Sequence, residues 1–278
     1  KYNKKKTFQN LNFSNAPIIM GVLNLTPDSF SDGGKYINRK SALRKLNKLI
    51  NEGSDIIDIG GESTRPSSKS IKEKVELKRL MPILKTIKKF RKFVSLDTRK
   101  SLVMKEGIKS GIKLINDVSG LNYDIDTIKV LKKFKTPFVL HHMLGTPDTM
   151  QKNPKYKNVL LDIYDFFEKK LRIIRSFNIK HNNIILDPGI GFGKNLKHNI
   201  TLISKISIFH SLGLPVMLGI SRKRFIKDLS NKNDSKERIG GTVASSLYSI
   251  MQGVQILRVH NVNEVIQAIK VFRKLKFK

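Results

Sequence analysis

The sequence predicts a (β/α)8 barrel, and three observations carry that prediction. Eight short apolar runs recur along its 278 residues. Stretches with helical periodicity separate them. Each run ends in, or is followed at once by, a polar residue able to bind a ligand or do chemistry, and a barrel of this class gathers its active site at those strand ends.

The runs, in order, are Ile18–Asn24, Asp55–Gly61, Phe93–Thr98, Lys113–Val118, Phe138–His142, Asn183–Gly189, Pro215–Ser221 and Gly253–His260. Their ends supply Asn24, Glu62, Asp97, Asn116 with Asp117, His142, Asp187, Ser221, and Arg258 with His260. Helices are expected over 38–52, 70–91, 99–110, 124–135, 155–179, 196–212, 236–252 and 261–274. In the first, Ala42, Leu43, Leu46, Leu49 and Ile50 make one apolar face. Ile239, Val243, Leu247 and Ile250 make the stripe of the seventh; Val262, Val265, Ile266 and Ile269 make that of the eighth. Gly53, Gly111, Gly213 and Gly253 each stand between a helix and the next strand, as C-terminal caps do. The loops at 25–37, 62–70 and 143–154 are the long ones, and long loops on a catalytic face are candidates for lids.

Bulk composition agrees with one domain spanning 1–278, with residues 1–15 as a basic N-terminal extension. Apolar residues make up 39%, enough for a sizeable core. No apolar stretch approaches the ~18 residues of a membrane span, and the opening KYNKKKTF has no signal-like apolar region. With no targeting feature, a cytoplasmic protein is expected. Cysteine is absent, which excludes disulfides and thiolate chemistry. The net charge of +32 suggests either a nucleic-acid partner or a Lys-rich surface that speeds capture of anions. The second reading is favoured. Lys45, Lys48, Lys88, Lys89, Lys132, Lys133, Lys169 and Lys170 are spread over helical segments, and no nucleic-acid motif accompanies them.

Chemistry concentrates at the strand ends. MGVLNLTPDSFSDGG (20–34) sets Asn24, Asp28, Phe30 and Asp32 around ordinary turn residues. In DIGGESTRPSS (58–68), Gly60 and Gly61 would let a ligand approach the backbone, and Thr64 and Arg65 suit phosphate oxygens. Asp58 lies inside its strand and is read as a supporting group. Asp97, Asn116 and Asp187 end three strands that a barrel brings together. Each alone is as easily a helix cap; all three together suit a ligand edge rich in N–H donors.

LDPGIGFGK (186–194) is not a Walker loop, because Pro188 and Asn195 stand at defining positions, and its Gly189, Gly191 and Gly193 lack the spacing of a dinucleotide loop. Phe192 within it suits a ring held against a planar ligand. Ser221, Arg222, Lys223 and Arg224 put a hydroxyl and three cations at a strand end, either as a solvated basic cluster or as a ligand site. Arg258 and His260 face one side by alternation and suit an anion. His141 and His142 point oppositely and are no paired metal site; His181, His198 and His210 read as surface. A hard ion such as Mg2+, held by one protein oxygen and substrate phosphates, leaves little trace in sequence.

MGVLNLTPDSFSDGG, DIGGESTRP, LDPGIGFGKN, SRK and RVH, in this order, resemble the dihydropteroate synthase family of folate synthesis, over about Ile18 to Ile269. HHMLGTPDTMQ (141–151) resembles that family's loop after strand five. The resemblance implies a (β/α)8 barrel, a homodimer, and the joining of 4-aminobenzoate to 6-hydroxymethyl-7,8-dihydropterin diphosphate with loss of pyrophosphate. It implies that Asn24 ligates Mg2+ and that Asp97, Asn116, Asp187 and Lys223 hold the pterin. Thr64, Arg65, Arg258 and His260 would bind the diphosphate. Phe30, Pro66, Phe192, Ser221 and Arg224 would surround 4-aminobenzoate. Lys223, Asp97, Asp187 and Asp32 would serve the reaction itself, Asp32 by a polar contact to the amine or diphosphate. An SN1-like step needs no protein nucleophile, and none is evident. Arg224 stands where the family commonly has Ser, and Arg99, also uncommon there, is expected to affect only a helix start. Two rivals remain: a methyltetrahydrofolate-type pterin methyltransferase, and a basic nucleic-acid-binding protein. The first would not need TPDSFSDGG, SRK and RVH as an anion-binding set; the second would show steeply salt-dependent RNA binding with no effect of pterin diphosphate.

Overall fold

The structure is a computed structural model that describes residues 4–14, 17–26, 39–66, 68–90 and 92–276. Ten strands occur among these residues. β1 (Thr7–Phe8) and β2 (Leu11–Asn12) form an antiparallel hairpin. β3 (Ile18–Asn24), β4 (Ile56–Gly60), β5 (Phe93–Asp97), β6 (Leu114–Asp117), β7 (Phe138–His141), β8 (Ile184–Asp187), β9 (Met217–Leu218) and β10 (Ile256–Val259) form one parallel sheet, ordered β8-β7-β6-β5-β4-β3-β10-β9. A parallel bridge between Leu186 and Val216, with the Leu186 N–H donating to Pro215 O at 2.9 Å, closes the ring between β8 and β9.

The helices are α1 (Arg39–Asn51), α2 (Glu73–Leu84), α3 (Ser101–Lys109), α4 (Thr127–Phe134), α5 (Val159–Ser176), α6 (Leu196–Ser204), α7 (Arg224–Ser230), α8 (Ile239–Met251) and α9 (Val262–Lys276). Seven of them match expected segments. The stretch expected as one helix at 196–212 is α6 followed by a 3-10 helix over Ile206–Leu212. α7 was not expected. Gly53, Gly111, Gly213 and Gly253 all have positive φ, between +71° and +109°, so the role expected of them at helix ends holds. On α8 the most buried positions are Thr242, Ser246 and Ser249, with the expected apolar stripe flanking them. Each hydroxyl donates to the carbonyl four residues back, at 2.6–2.8 Å, so these small polar residues are satisfied within the helix.

Two apolar layers result. The outer one lies between strands and helices and includes Ile57, Ile59, Leu96, Leu140, Leu186 and Leu257. The inner one fills the barrel floor with Ile18, Met20, Ile56, Leu114, Val139, Ile185, Met217 and Ile256. Phe8 and Leu11 of the hairpin join that floor, so the segment read as a basic extension carries a plug for the barrel. Gly61 also differs from expectation. A Cβ there would lie 3.0 Å from Glu76 Cγ and 3.1 Å from Leu80 Cγ, so the missing side chain admits α2 rather than a ligand.

Candidate active site

Strand alternation raises a polar layer directly above the apolar floor. Residues two positions beyond the floor residues are Asp58, Ser95, Asn116, His141, Asp187 and Arg258, and Asp97 follows Ser95 upward. Arg258 Nε donates to Asp58 Oδ2 at 2.7 Å, and its Nη2 donates to Asp97 Oδ2 at 2.8 Å. Asn116 Nδ2 donates to the same Asp58 oxygen at 3.0 Å. Asp58 therefore fixes both Arg258 and Asn116, the supporting part expected of it. The other oxygens of Asp97 and Asn116, Oδ1 in each case, are buried without a hydrogen-bond partner. An unmet buried acceptor costs ~1–3 kcal/mol, so both oxygens favour a ligand that brings N–H donors. None of the three candidate caps is a cap. Asp124 Oδ2 accepts the Ser101 N–H at the start of α3, and Asp187 Oδ1 accepts the Gly189 N–H at 2.8 Å.

Burial sets the protonation of this layer. It pushes Asp97 up, aided by the nearby Asp58 carboxylate and opposed by Arg258. It pushes Asp187 up to about 6, while the Gly189 N–H and Lys223 pull the other way. It pushes Lys223 down to about 8, with Arg258 adding repulsion. His141 is held well below its ordinary value, first by burial and then by Lys194 and Lys223. His141 Nδ1 lies 3.0 Å from Val118 O; donation there leaves its other nitrogen as an acceptor.

Asn116, His141, Asp187, Phe192, Lys223 and Arg258 line a narrow recess. Lys223 Nζ lies 4.0 Å above the Phe192 ring centroid, and His141 meets the same ring edge-on at 4.6 Å. The recess holds about 20 Å³, room for roughly one water.

The recess opens into a cleft of about 680 Å³. Asn24, Thr64, Arg65, Pro66, Phe192, Ser221, Lys223, Arg224, Arg258 and His260 all line it, so ten of the residues expected at the site come together. Burial, then Arg258, pushes His260 down to about 3, making it neutral. Ser221 Oγ accepts the His260 backbone N–H and lies 3.2 Å from its Nδ1. With the Ser221 hydroxyl hydrogen on Nδ1, the other ring nitrogen is a donor for the cleft. Arg224 begins α7 with an exposed guanidinium 3.6 Å from Asp228, and Arg222 is turned aside to Asn261 Oδ1. Phe30 and Asp32 lie outside the described residues.

The donor set suits a divalent cation only in company. Asn24 brings one neutral amide oxygen to a cleft wall that also carries Arg65, Lys223 and Arg258. No cluster of three or more His, Cys, Asp or Glu suited to a metal exists among the described residues. A metal–diphosphate complex fits such a wall; a bare divalent ion does not.

Arg258 lines the cleft while paired with Asp58 and Asp97. Other expectations need correction. Arg99 does more than start a helix: it is buried, and its Nε lies 3.0 Å from Glu62 Oε2. His210 is buried, not on the surface. His142, expected from its orientation to belong to no paired metal site, lies with Nδ1 2.9 Å from the Nζ of buried Lys194, and Lys194 also donates to Phe192 O at 2.9 Å. This lysine ties the end of β7 to the glycine loop. Gln151 Nε2 donates to Gly191 O at 2.7 Å, and Tyr156 Oη to Gly193 O at 2.8 Å. Neither was singled out from the sequence. Alternation does identify His141 as the inward member of its pair, once Val139 is placed on the floor.

A parallel barrel with a cationic cleft above buried aspartates defines a barrel enzyme for an anionic ligand with a donor-rich head. Comparison with known proteins narrows that class. Residues 20–260 match the family described as pterin binding enzyme. The dihydropteroate synthase of Escherichia coli strain K12 is 40% identical, over 92% of this chain and 90% of its own length. The Yersinia pestis dihydropteroate synthase, solved with a sulfonamide drug complex, superposes with a TM-score of 0.91 at 38% identity, covering 98% of this chain and 99% of that one. The Xanthomonas albilineans dihydropteroate synthase, solved in complex with 7,8-dihydropteroate, gives 0.86 at 30% identity over 96% of each chain. The chain belongs to the dihydropteroate synthase family of pterin binding enzymes, transferases of folate synthesis.

Proposed function

We propose that this chain joins 6-hydroxymethyl-7,8-dihydropterin diphosphate to 4-aminobenzoate, giving 7,8-dihydropteroate and pyrophosphate. The observation that carries the reading is the pair of unmet buried acceptors, Asp97 Oδ1 and Asn116 Oδ1, in the polar layer beneath a cationic cleft. A pterin edge brings N–H donors to those oxygens and to Asp187. Lys223 then covers the ring from the side on which it now lies over Phe192. The diphosphate extends into the cleft toward Thr64, Arg65 and His260, and Arg258 joins it by loosening one of its two aspartates. 4-Aminobenzoate stacks beside Pro66 and Phe192, with its carboxylate toward Ser221 and Arg224. Phe30 for 4-aminobenzoate and Asp32 for the amine or diphosphate remain part of the proposed residue set. The bound 7,8-dihydropteroate of the Xanthomonas relative supports a site for both halves of such a product.

Bond breaking precedes bond making in this reading. The exocyclic C–O bond breaks, and its electron pair leaves with pyrophosphate. The carbon left behind is stabilised by the electron-rich pterin. The arylamine nitrogen then attacks it and loses a proton. Asn24 would hold Mg2+ together with the diphosphate, and that ion would neutralise charge on the leaving group. The protein residues orient the two substrates and keep water from the cation. A homodimer is part of the proposal, supported by exposed Leu229, Tyr248 and Met251 on neighbouring helices α7 and α8.

The test is pyrophosphate release with all three components present and with each omitted in turn. Release matched one for one by dihydropteroate supports the proposal, and no turnover of the complete mixture contradicts it. The order of steps has its own test. With 4-aminobenzoate withheld, bridging 18O in the pterin diphosphate should scramble into the non-bridging positions; no scrambling argues for a concerted displacement.

A further inference from the structure

The segment from Glu62 to Ile71 brings Thr64, Arg65 and Pro66 to the cleft, and it is fastened at its root by charges no step above uses. Glu62 Oε1 accepts the Ile71 backbone N–H at 2.9 Å, closing the segment on its own first residue. The same oxygen lies 2.9 Å from Lys100 Nζ, and Oε2 lies 3.0 Å from Arg99 Nε. Lys100 Nζ also reaches Glu76 Oε2 of α2, at 2.6 Å. All four side chains are buried. A second strut runs outside this root. The Arg99 guanidinium lies 4.0 Å over the Tyr123 ring, and the Tyr123 hydroxyl is 3.1 Å from Ser70 Oγ. Inside the loop, Ser68 Oγ donates to Ser63 O at 2.7 Å, and Ser68 N to Arg65 O at 3.1 Å.

Four buried charges are a costly way to hold a fold together, because apolar residues of similar volume often do as well or better. What ion pairs and charge-assisted hydrogen bonds supply is direction. Here they fix both ends of one loop to the starts of α2 and α3. We propose that Arg99 and Tyr123 are positioning residues for anion binding: through Glu62 and Ser70 they hold the loop so that Thr64 and Arg65 meet the diphosphate already in place. This rests on the function proposed above. Anion donors fixed in advance lose little freedom on binding, so slackening the strut weakens capture of the diphosphate and leaves the pterin seat intact, because the hydrogen bonds joining Asp58, Asp97, Asn116 and Arg258 do not run through Glu62, Arg99 or Tyr123.

The experiment compares two ligands in calorimetry: inorganic pyrophosphate with Mg2+, and 6-hydroxymethyl-7,8-dihydropterin, which lacks the diphosphate. Arg99→Ala and Tyr123→Ala should each weaken pyrophosphate roughly tenfold, the scale of one hydrogen bond to a charged group, with the pterin alcohol unchanged. Tyr123→Phe, which keeps the ring under Arg99, should recover part of the loss. The KM for pterin diphosphate should rise while kcat at saturation is kept. Tyr123 is exposed at the surface, so its variants report even where Arg99→Ala fails to fold. Equal weakening of both ligands, or none, overturns the proposal. A wild-type protein that binds neither ligand overturns the functional reading instead.

Discussion

Lys223 is the residue on which the two halves of the site meet, for it lines both the recess and the cleft and lies over Phe192. Lys223→Ala should lower kcat/KM by more than tenfold, since a buried charge-assisted contact exceeds about 1.4 kcal/mol, and leave the melting temperature nearly unchanged. Lys194→Ala should do the reverse. Its Nζ is buried between His142 and the Phe192 carbonyl, so removal leaves both unmet, costing about 1–3 kcal/mol and several degrees of melting temperature by scanning calorimetry. Protonation gives a third expectation. Asp187, pushed up to about 6 by burial, must be ionised to accept from the pterin. Lys223, pushed down to about 8 by burial, must keep its proton. Acceptance is therefore lost as pH falls through about 6, and cationic character is lost as it rises through about 8. A profile of kcat/KM should climb through the first value and decline through the second; a flat profile from about pH 5 to 9 argues against both roles. Asp187→Asn should remove the acid limb and weaken pterin binding, because its amide presents a donor to a donor.

Among the elements, those with several turns or several inward residues were legible in the sequence. Seven helices and the eight barrel strands fall where periodicity and the closing glycines put them. The β1–β2 hairpin and α7 were not, whereas β9, also of two residues, was legible because it lies inside the longer apolar run Pro215–Ser221. The β1–β2 hairpin has two residues in each strand, too few for alternation to register, and α7 is seven residues long. The buried face of α8 also hides from hydropathy, because Thr242, Ser246 and Ser249 are polar by composition and satisfied within the helix. Site residues at strand ends could be read one by one. The partners of Arg258, Glu62 and Lys194 could not, since each lies 37 to 200 positions away from some partner and only the fold joins them. The hairpin yields an expectation of its own. Phe8 closes the barrel floor, so Phe8→Ala should destabilise the protein by about 3 kcal/mol in denaturant unfolding while sparing kcat. A loss of activity without loss of stability would contradict its part as a plug.

Taken whole, the molecule carries +32 net charge around a cleft that itself presents Arg65, Lys223 and Arg258. Such a field draws anions and fades with salt. The kcat/KM for the pterin diphosphate should therefore fall with ionic strength more steeply than that for the singly charged 4-aminobenzoate; equal slopes would mean that the charge is spread too evenly to steer. The barrel separates its tasks by depth: apolar floor, polar layer, cationic cleft. The central claim is that the polar layer seats the pterin. It is tested most directly by the position of the ring in a crystal of the protein with 6-hydroxymethyl-7,8-dihydropterin diphosphate. The account predicts the pterin edge within hydrogen-bond distance of Asp97 Oδ1, Asn116 Oδ1 and Asp187, with Lys223 and Phe192 moved apart to admit it. A ring bound elsewhere in the cleft, with those oxygens still unmet, would contradict it.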